Sequence, residues 1–443
     1  MASYFSVCSS CAFWLKEVLT HPRLGKCWTR ATVLEHGSRT DVDCVVADKL
    51  QAVLRNAAQT VPYYRKWFAE RGFDAKSLRI EDFPIVEKKD IRGHEEEFVS
   101  EAYPRKRLGW SRTSGSTGEP FRFAHCREQF DYTYATLWRG LLRFGIRPGD
   151  RRVLVKGVDE SAAVSLKTRI WRKVYGWLNR CIVVDAHFLA RSEANIAAEL
   201  KRIIAYRPQY FHGYVSSIYL LAQYAEQHGI DLASLKVKAI VTESEKCHDF
   251  QRELMERVFR APVVENYGCV EFGMIAQPAK DGKPCINEDH VFVEVTSEGE
   301  AVLTNLDEFG FPLIRFKNGD LVKLGDVHPQ LPYRTVESLD GRVAETIYLP
   351  QGGSLQGYIV MYPISKHIKY LKQYQVYQPD IEHLIIRLVC SDAGLPETIR
   401  EQMTREMREI VGDGMEISFE QVDAIPLTKR GKRAFVCSDV KGA

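Results

Sequence analysis

Residues Ser111-Arg-Thr-Ser-Gly-Ser-Thr-Gly118 gather five hydroxyls, two glycines and one arginine into eight positions. Glycines let backbone N–H groups turn inward in conformations closed to other residues. Hydroxyls add rotatable donors, so such a run can wrap the oxygens of a polyphosphate. Glu119-Pro120 and an alternating Phe121-Arg122-Phe123 follow it, as a strand would. The run has no Gly-Lys-Ser/Thr ending and is not a Walker A loop. Read alone, it is also what an ordinary surface loop looks like.

Four further segments carry chemistry-bearing residues in order behind it. In Glu265-Asn-Tyr-Gly-Cys-Val-Glu271, Tyr267 offers a flat face for a purine and Glu271 a carboxylate for Mg²⁺ against phosphates. In Pro312-Leu-Ile-Arg-Phe-Lys-Asn-Gly-Asp320, a carboxylate beside a glycine turn can accept two ribose hydroxyls. Leu339-Asp-Gly-Arg342 reads as a β-turn presenting an arginine, and Ile425-Pro-Leu-Thr-Lys-Arg-Gly-Lys432-Arg433 as a turn presenting a lysine. A lysine so held can stabilise charge developing at an α-phosphate. Each segment has an ordinary reading as well, as a strand-to-turn junction, an Asx-type turn or a solvated basic tail.

The elements that must position these residues follow from hydrophobic periodicity. Residues 45–60 read as a helix stopped by Val61-Pro62-Tyr63-Tyr64. Strands at Val153–Val155, Cys181–Val184, Val237–Thr242 and Val263–Val264 alternate with helices over Ala163–Leu178, Ser192–Tyr206, Val215–His228 and Asp249–Phe259. That alternation implies βαβ units and parallel pairing. After His290 short segments (Val291–Val295, Ala301–Leu306, Leu313–Phe316) imply antiparallel strands. The last hundred or so residues hold a Gly-rich turn at Gln351-Gly352-Gly353, strands at Leu384–Val389 and Ile417–Phe419, and a helix over Glu397–Val411. A boundary near Arg342 then separates residues 1–341 from a small α+β unit at 342–443.

A chain of 443 residues exceeds what one hydrophobic core supports. Its 61 basic and 58 acidic residues leave a net charge of +3, which carries no nucleic-acid signature. Apolar runs fall short of the ~18 residues a membrane span needs, and the N-terminal stretch lacks a basic leader. Eleven cysteines without framework spacing suit a reducing, cytoplasmic setting. Cys8-Ser-Ser-Cys11 has redox-motif spacing but no second pair to complete a four-ligand zinc site, and Cys247-His248, Cys269, Cys285 and His290 have no ligand-like repeat, so ordinary thiols and imidazoles are the favoured reading.

In order, the five segments resemble the adenylate-forming enzymes, most closely the branch holding phenylacetate–coenzyme A ligase, coenzyme F390 synthetase and the CapK capsule-biosynthesis proteins. Val61-Pro-Tyr-Tyr-Arg65, Phe83-Pro-Ile-Val-Glu-Lys88, His212-Gly-Tyr-Val-Ser-Ser217 and Gln373-Tyr-Gln-Val-Tyr-Gln378 are similar to that branch too, extending the resemblance from about residue 45 to 436. It implies an α/β fold: a large N-terminal domain of mostly parallel sheets flanked by helices, and a small mobile C-terminal α+β lid. It further implies that ATP and Mg²⁺ are used to convert a carboxylic acid to an acyl-adenylate with release of pyrophosphate. Ser114, Gly115, Ser116, Thr117 and Gly118 would hold the β- and γ-phosphates. Tyr267 and Gly268 would pack on adenine, and Glu271 would bind Mg²⁺. Asp320 would take the ribose with Arg342 beside it, and Lys432 would bridge carboxylate and α-phosphate. A second step would pass the acyl group to a thiol such as coenzyme A, or alternatively to an amine. Similar enzymes are often homodimers.

The chain departs from the family pattern in three respects. Val270 stands where Thr or Ser is usual before the glutamate, and Ala344 where the hinge commonly has Asp. Gln277-Pro278 and Cys285 replace residues that are polar in many members. The acyl pocket is expected between Phe211–Ser217 and Val241–Lys246, with His212, Tyr214, Ser216 and Glu243 facing the acid.

Overall fold

The computed structural model describes residues 13, 15–17, 19–72, 78–113, 121–157, 174–342, 346–367, 370–391, 394–426 and 434–440. The chain divides into two compact units, one of Met1–Asn318 with Lys323–Ser338, the other of Gly319–Val322 with Leu339–Ala443.

The first unit opens with helices. Leu24–Glu35 precedes Arg39–Thr60, whose N-terminus is closed by a capping box of Ser38 and Asp41. Val61 ends that helix, and Pro62 then starts a second one, Pro62–Arg71, because proline is suited to a first helical position. Strands β1 (Gly109–Thr113) and β2 (Phe121–His125) form an antiparallel hairpin, pairing Thr113 with Phe121, and lead into helix Arg127–Leu142.

Five strands make the parallel sheet: β3 (Arg152–Lys156), β4 (Cys181–Asp185), β5 (Tyr210–Tyr214), β6 (Ile240–Glu243) and β7 (Val263–Glu265), in the spatial order β4-β3-β5-β6-β7. All pairs are parallel. Helices Glu193–Tyr206, Val215–Gln227 and Asp249–Phe259 cover one face, burying Leu200, Ile203, Ile218, Leu221 and Met255 against Phe211, Ile240 and Val263. Tyr210, Val241 and Val264 point the other way, onto Trp138 and Leu141 of helix 127–142. Gly213 is required within β5, since a Cβ there would lie 1.9 Å from the carbonyl oxygen of Val155 in β3.

A second sheet contains β8 (Tyr267–Cys269), β9 (Gly273–Pro278), β10 (Pro284–Ile286), β11 (Val291–Val295), β12 (Glu300–Asn305), β13 (Phe316–Val327) and β14 (Arg334–Arg342), ordered β11-β12-β13-β14-β10-β9-β8. Antiparallel pairing thus begins at Tyr267, earlier than the change of texture at His290 suggests. Two expected turns are strand. Leu313–Phe316 is not a strand, because Arg315 sits at φ 51° and β13 starts only at Phe316; the Gly319-Asp320 step, with Gly319 at φ 83°, lies inside β13. Leu339–Arg342 continues β14 and is not a β-turn. Val237–Lys238-Ala239 likewise lies outside β6. The helix expected at Ala163–Leu178 falls largely outside the described residues, and its remainder from Val174 is helical.

Helix 127–142 is pinned to this second sheet by buried charge. Arg139 donates to both carboxylate oxygens of Asp289 at 2.9 Å, to Asn287 at 2.8 Å and to Tyr333 at 2.7 Å. Lys49 donates to Asp307 and to the main-chain oxygen of Asp289, each at 2.7 Å, with its ammonium over the Tyr132 ring. His290 completes the set between Asp307 and Thr133. Such groups are tolerated only because each is paired, and removing one partner from a buried pair costs about 3–5 kcal/mol.

In the second unit, β15 (Thr346–Tyr348) pairs with β16 (Ser354–Gln356). The antiparallel pair β17 (Leu371–Gln378) and β18 (His383–Cys390) is flanked in parallel by β20 (Val436–Ser438) and β19 (Glu416–Gln421). Helix Glu397–Val411 buries Met403, Met407 and Val411. No helix among the described residues is long and apolar enough to cross a membrane.

Candidate active site

In an open parallel sheet, ligands bind outside the carboxyl ends of the strands. Here those ends are Tyr214, Glu243 and Glu265, and the expected pocket residues converge on them. His212 and Glu243, separated by 31 positions, meet with Nε2 of the imidazole 3.0 Å from Oε2 of the carboxylate. Parallel register makes this possible, because Tyr214 pairs with Glu243 and His212 with Val241, placing all four on one face.

Ser216 is already engaged. The Ser216 backbone N–H donates to Glu245 at 2.8 Å and its hydroxyl at 3.0 Å, so Glu245 caps the start of helix Val215–Gln227. Ser244, at φ 71°, bends the chain after β6 to bring Glu245 there. Glu265 accepts from the Cys247 N–H and from Arg252, each at 3.0 Å, while burial pushes its carboxyl above the usual range. Burial likewise pushes the Cys247 thiol up to about 12, leaving it inert as a nucleophile.

Beyond β7 the chain turns through Asn266 into the β8–β9 hairpin. Tyr267 is half-buried, and its hydroxyl accepts from Asn318 at 3.3 Å. Gly268 lies against the opposite strand so closely that a Cβ would stand 2.3 Å from the Gly273 oxygen. Val270 is 47 % exposed at the tip of the turn, whereas Glu271 is only 7 % exposed. Phe272, fully buried against Phe316, anchors the turn.

The Glu271 position is fixed from helix 127–142. Gln129 donates from Nε2 to the Glu271 main-chain oxygen at 3.0 Å, and its Oε1 accepts from His125 Nδ1 at 2.6 Å. Burial lowers the His125 pKa, with Gln129 and the Glu271 charge opposing it. His125 ends β2, so a relay of two side chains ties the Glu271 main chain to the β1–β2 hairpin. Glu308 secures the same junction by accepting from the backbone N–H groups of Cys126, Gly310 and Phe311 at 2.8–2.9 Å, and burial pushes its carboxyl up to about 7.

Of the remaining expected site residues, Ser114, Gly115, Ser116, Thr117, Gly118 and Lys432 lie outside the described residues, as does Ala344. Asp320 sits in β13 and Arg342 at the end of β14, both within the stretches grouped with the second unit. His125 and Gln129 escaped the sequence reading. No motif marks them, and only the packing of helix 127–142 on the β8–β9 turn gives them a role. Gln277, at one of the departing positions, is buried beside Gly140 and donates to the Leu137 oxygen, while Cys285 is a buried thiol.

Comparison with known proteins places this architecture. Solved 2-hydroxyisobutyryl-CoA ligase in its postadenylation state matches with a TM-score of 0.72 at 20% identity, over 94% of this chain and 92% of that one. Amide bond synthetase McbA from Marinactinospora thermotolerans matches at TM-score 0.50 and 16% identity, over 73% and 68%. The fold is therefore that of the adenylate-forming ligases. Within them, Protein CapK of Staphylococcus aureus is 25% identical over 393 residues, 86% of this chain and 85% of its own. Phenylacetate-coenzyme A ligase of Aromatoleum evansii is 27% identical over 312 residues, covering 66% and 68%. The family model for the CapK C-terminal domain matches residues 348–439. The resemblance read from the ordered motifs, to the CapK and phenylacetate–coenzyme A ligase branch, is borne out.

Proposed function

We propose that this chain is an AMP-forming carboxylate ligase: it activates a carboxylic acid with ATP to an acyl-adenylate, releases pyrophosphate, and passes the acyl group to a thiol such as coenzyme A. The observation that carries this reading is the relay from His125 through Gln129 to Glu271, which ties the turn holding Tyr267 and Glu271 to β2, the strand that follows the hydroxyl-rich segment in sequence. Nucleotidyl transfer needs positioning and charge neutralisation more than a covalent side chain, and these residues supply positioning.

Glu271 suits a divalent cation. It is buried, and among the described residues no lysine or arginine pairs with it. Mg²⁺ is held by one or two carboxylates and fills its shell with water and phosphate oxygens, so a single carboxylate such as Glu271 can serve it. Bound there, it would neutralise phosphate charge. Tyr267 offers a ring face to adenine, steadied by Asn318, and Gly268 keeps the strand low beneath it. By the family resemblance, Lys432, which lies outside the described residues, would supply the positive charge that bridges carboxylate and α-phosphate.

An amine acceptor is the second reading. The match to Protein CapK spans 86% of the chain against 66% for phenylacetate-coenzyme A ligase, so the C-terminal unit leans toward CapK. Acid-dependent ATP–pyrophosphate exchange tests the first step. Lys432→Ala is expected to abolish exchange while ATP still binds, and exchange at the parental rate would refute the role of Lys432. AMP release on adding coenzyme A supports the thiol, and release only with an amine supports the second reading.

A further inference from the structure

Two buried polar side chains near the carboxyl ends of the parallel strands carry atoms without a hydrogen-bond partner. Asn266 is 4 % exposed, yet neither its Oδ1 nor its Nδ2 meets a hydrogen-bonding group. His212 is 7 % exposed, and its Nδ1 is likewise unpaired although Nε2 is bound to Glu243. Buried polar atoms are nearly always hydrogen-bonded, so three such atoms at one end of one sheet require an explanation.

They share a face. Register pairs His212 with Val241 and Val241 with Val264, and side chains alternate along each strand, so His212, Val241, Val264 and Asn266 project to the same side. Tyr210, Val241 and Val264 on that side pack on Trp138 and Leu141, while the opposite side is filled by helices. His212 therefore sits at the level of Val241 and Val264, and Asn266 one side-chain step beyond them, on strands two spacings, or about 10 Å, apart. Thr242 Oγ1, also buried and unpaired, lies on the opposite face and is not part of the set.

The chemistry of the pair is specific. With Nε2–H donated to Glu243, a neutral His212 ring presents Nδ1 as an acceptor. Asn266 presents one acceptor and two donors. Resting on the ligase reading above, we propose that His212 and Asn266 form a polar socket for the acyl portion of the acid, and that the acid carries a hydroxyl whose hydrogen is given to His212 Nδ1 or to Asn266. An unsubstituted aryl or alkyl acid would leave these atoms unpaired and be rejected. Sites built to bond a substrate hydroxyl discriminate against the analogue lacking it by up to about 10⁴–10⁵-fold.

The test compares pyrophosphate exchange for benzoate against its three hydroxybenzoates, and butyrate against 2- and 3-hydroxybutyrate, using the full chain. In at least one set the hydroxylated acid is expected to exceed its parent by about 100-fold or more in kcat/KM. His212→Phe and Asn266→Leu should each cut that ratio to below about tenfold, while His212→Asn, whose Oδ1 can replace Nδ1 as acceptor, should retain more of it. Asn266→Leu should also raise the melting temperature of the unliganded protein by roughly 2–4 °C, since it removes unpaired buried groups. Equal use of parent and hydroxylated acids, or a ratio untouched by both variants, overturns the socket. Should no acid support exchange, the ligase reading fails, and binding then decides for the socket alone. Thermal stabilisation by a hydroxy acid but not its parent, lost in Asn266→Leu, upholds it, and equal or absent stabilisation overturns it.

Discussion

Gln129 donates from its side-chain amide to the main-chain oxygen of Glu271 at 3.0 Å, joining residues 142 positions apart. With its oxygen held by His125, the amide has one orientation, and that orientation fixes the turn on which Glu271 stands. The turn that carries Glu271 and the end of β2 are thus held from a single helix turn.

Gln129 should behave as a positioning residue for the metal. Gln129→Leu is expected to raise the Mg²⁺ concentration for half-maximal exchange about tenfold or more, the usual scale for an outer-shell partner. Glu271→Gln should lower kcat/KM by about 10²-fold or more with the fold intact. Mg²⁺ titrations of exchange check both, and an unchanged Mg²⁺ requirement in Gln129→Leu would show the relay to be structural only.

Gly268 tolerates no side chain. Gly268→Ala places a Cβ 2.3 Å from the Gly273 oxygen, and both atoms belong to backbone that cannot rotate away. Opening the hairpin should cost about 1–3 kcal/mol of stability and raise the KM for ATP. Denaturant titration and ATP kinetics measure the two effects.

Acid stability should depend on Asp289. Burial alone would raise its pKa, but Arg139 and its bidentate hydrogen bonds hold the carboxyl at about 2, against an ordinary 3.8. Because the folded value is the lower one, the stabilisation is complete above about pH 4 and is lost as pH falls toward 2. That difference corresponds to about 2–3 kcal/mol. Asp289→Asn should flatten this acid limb of the stability–pH curve and, by leaving Arg139 unpaired, cost about 3–5 kcal/mol at neutral pH.

What was legible in the sequence follows the range of the forces involved. Helices such as Asp249–Phe259 and Glu397–Val411 announce themselves because their apolar stripes repeat at helical spacing. Four of the five parallel strands were legible because buried apolar runs alternate with those helices; the central one, Tyr210–Tyr214, was not, because His212 and Gly213 break its apolar run. Pro312–Asp320 misled because Arg315 adopts φ 51° without a glycine to signal it, and Gly319 interrupts β13 without ending it. His212 and Glu243 were each visible as polar groups at strand ends, but their 3.0 Å contact is a product of register. Gln129, Arg139 and Asn266 were silent. A buried glutamine, arginine or asparagine looks like a surface residue until burial is known, and burial is a property of the packed chain.

Isotope transfer tests the central claim most directly. If the acid's carboxylate attacks the α-phosphorus of ATP, then with acid labelled by ¹⁸O in both carboxyl oxygens, one labelled oxygen must appear in AMP once the acyl group is transferred. Mass spectrometry of the nucleotide product should show AMP heavier by about two mass units, with unlabelled pyrophosphate. Unlabelled AMP, or ADP accompanied by labelled inorganic phosphate, would contradict an acyl-adenylate and with it the proposed role of Glu271, Tyr267 and Lys432.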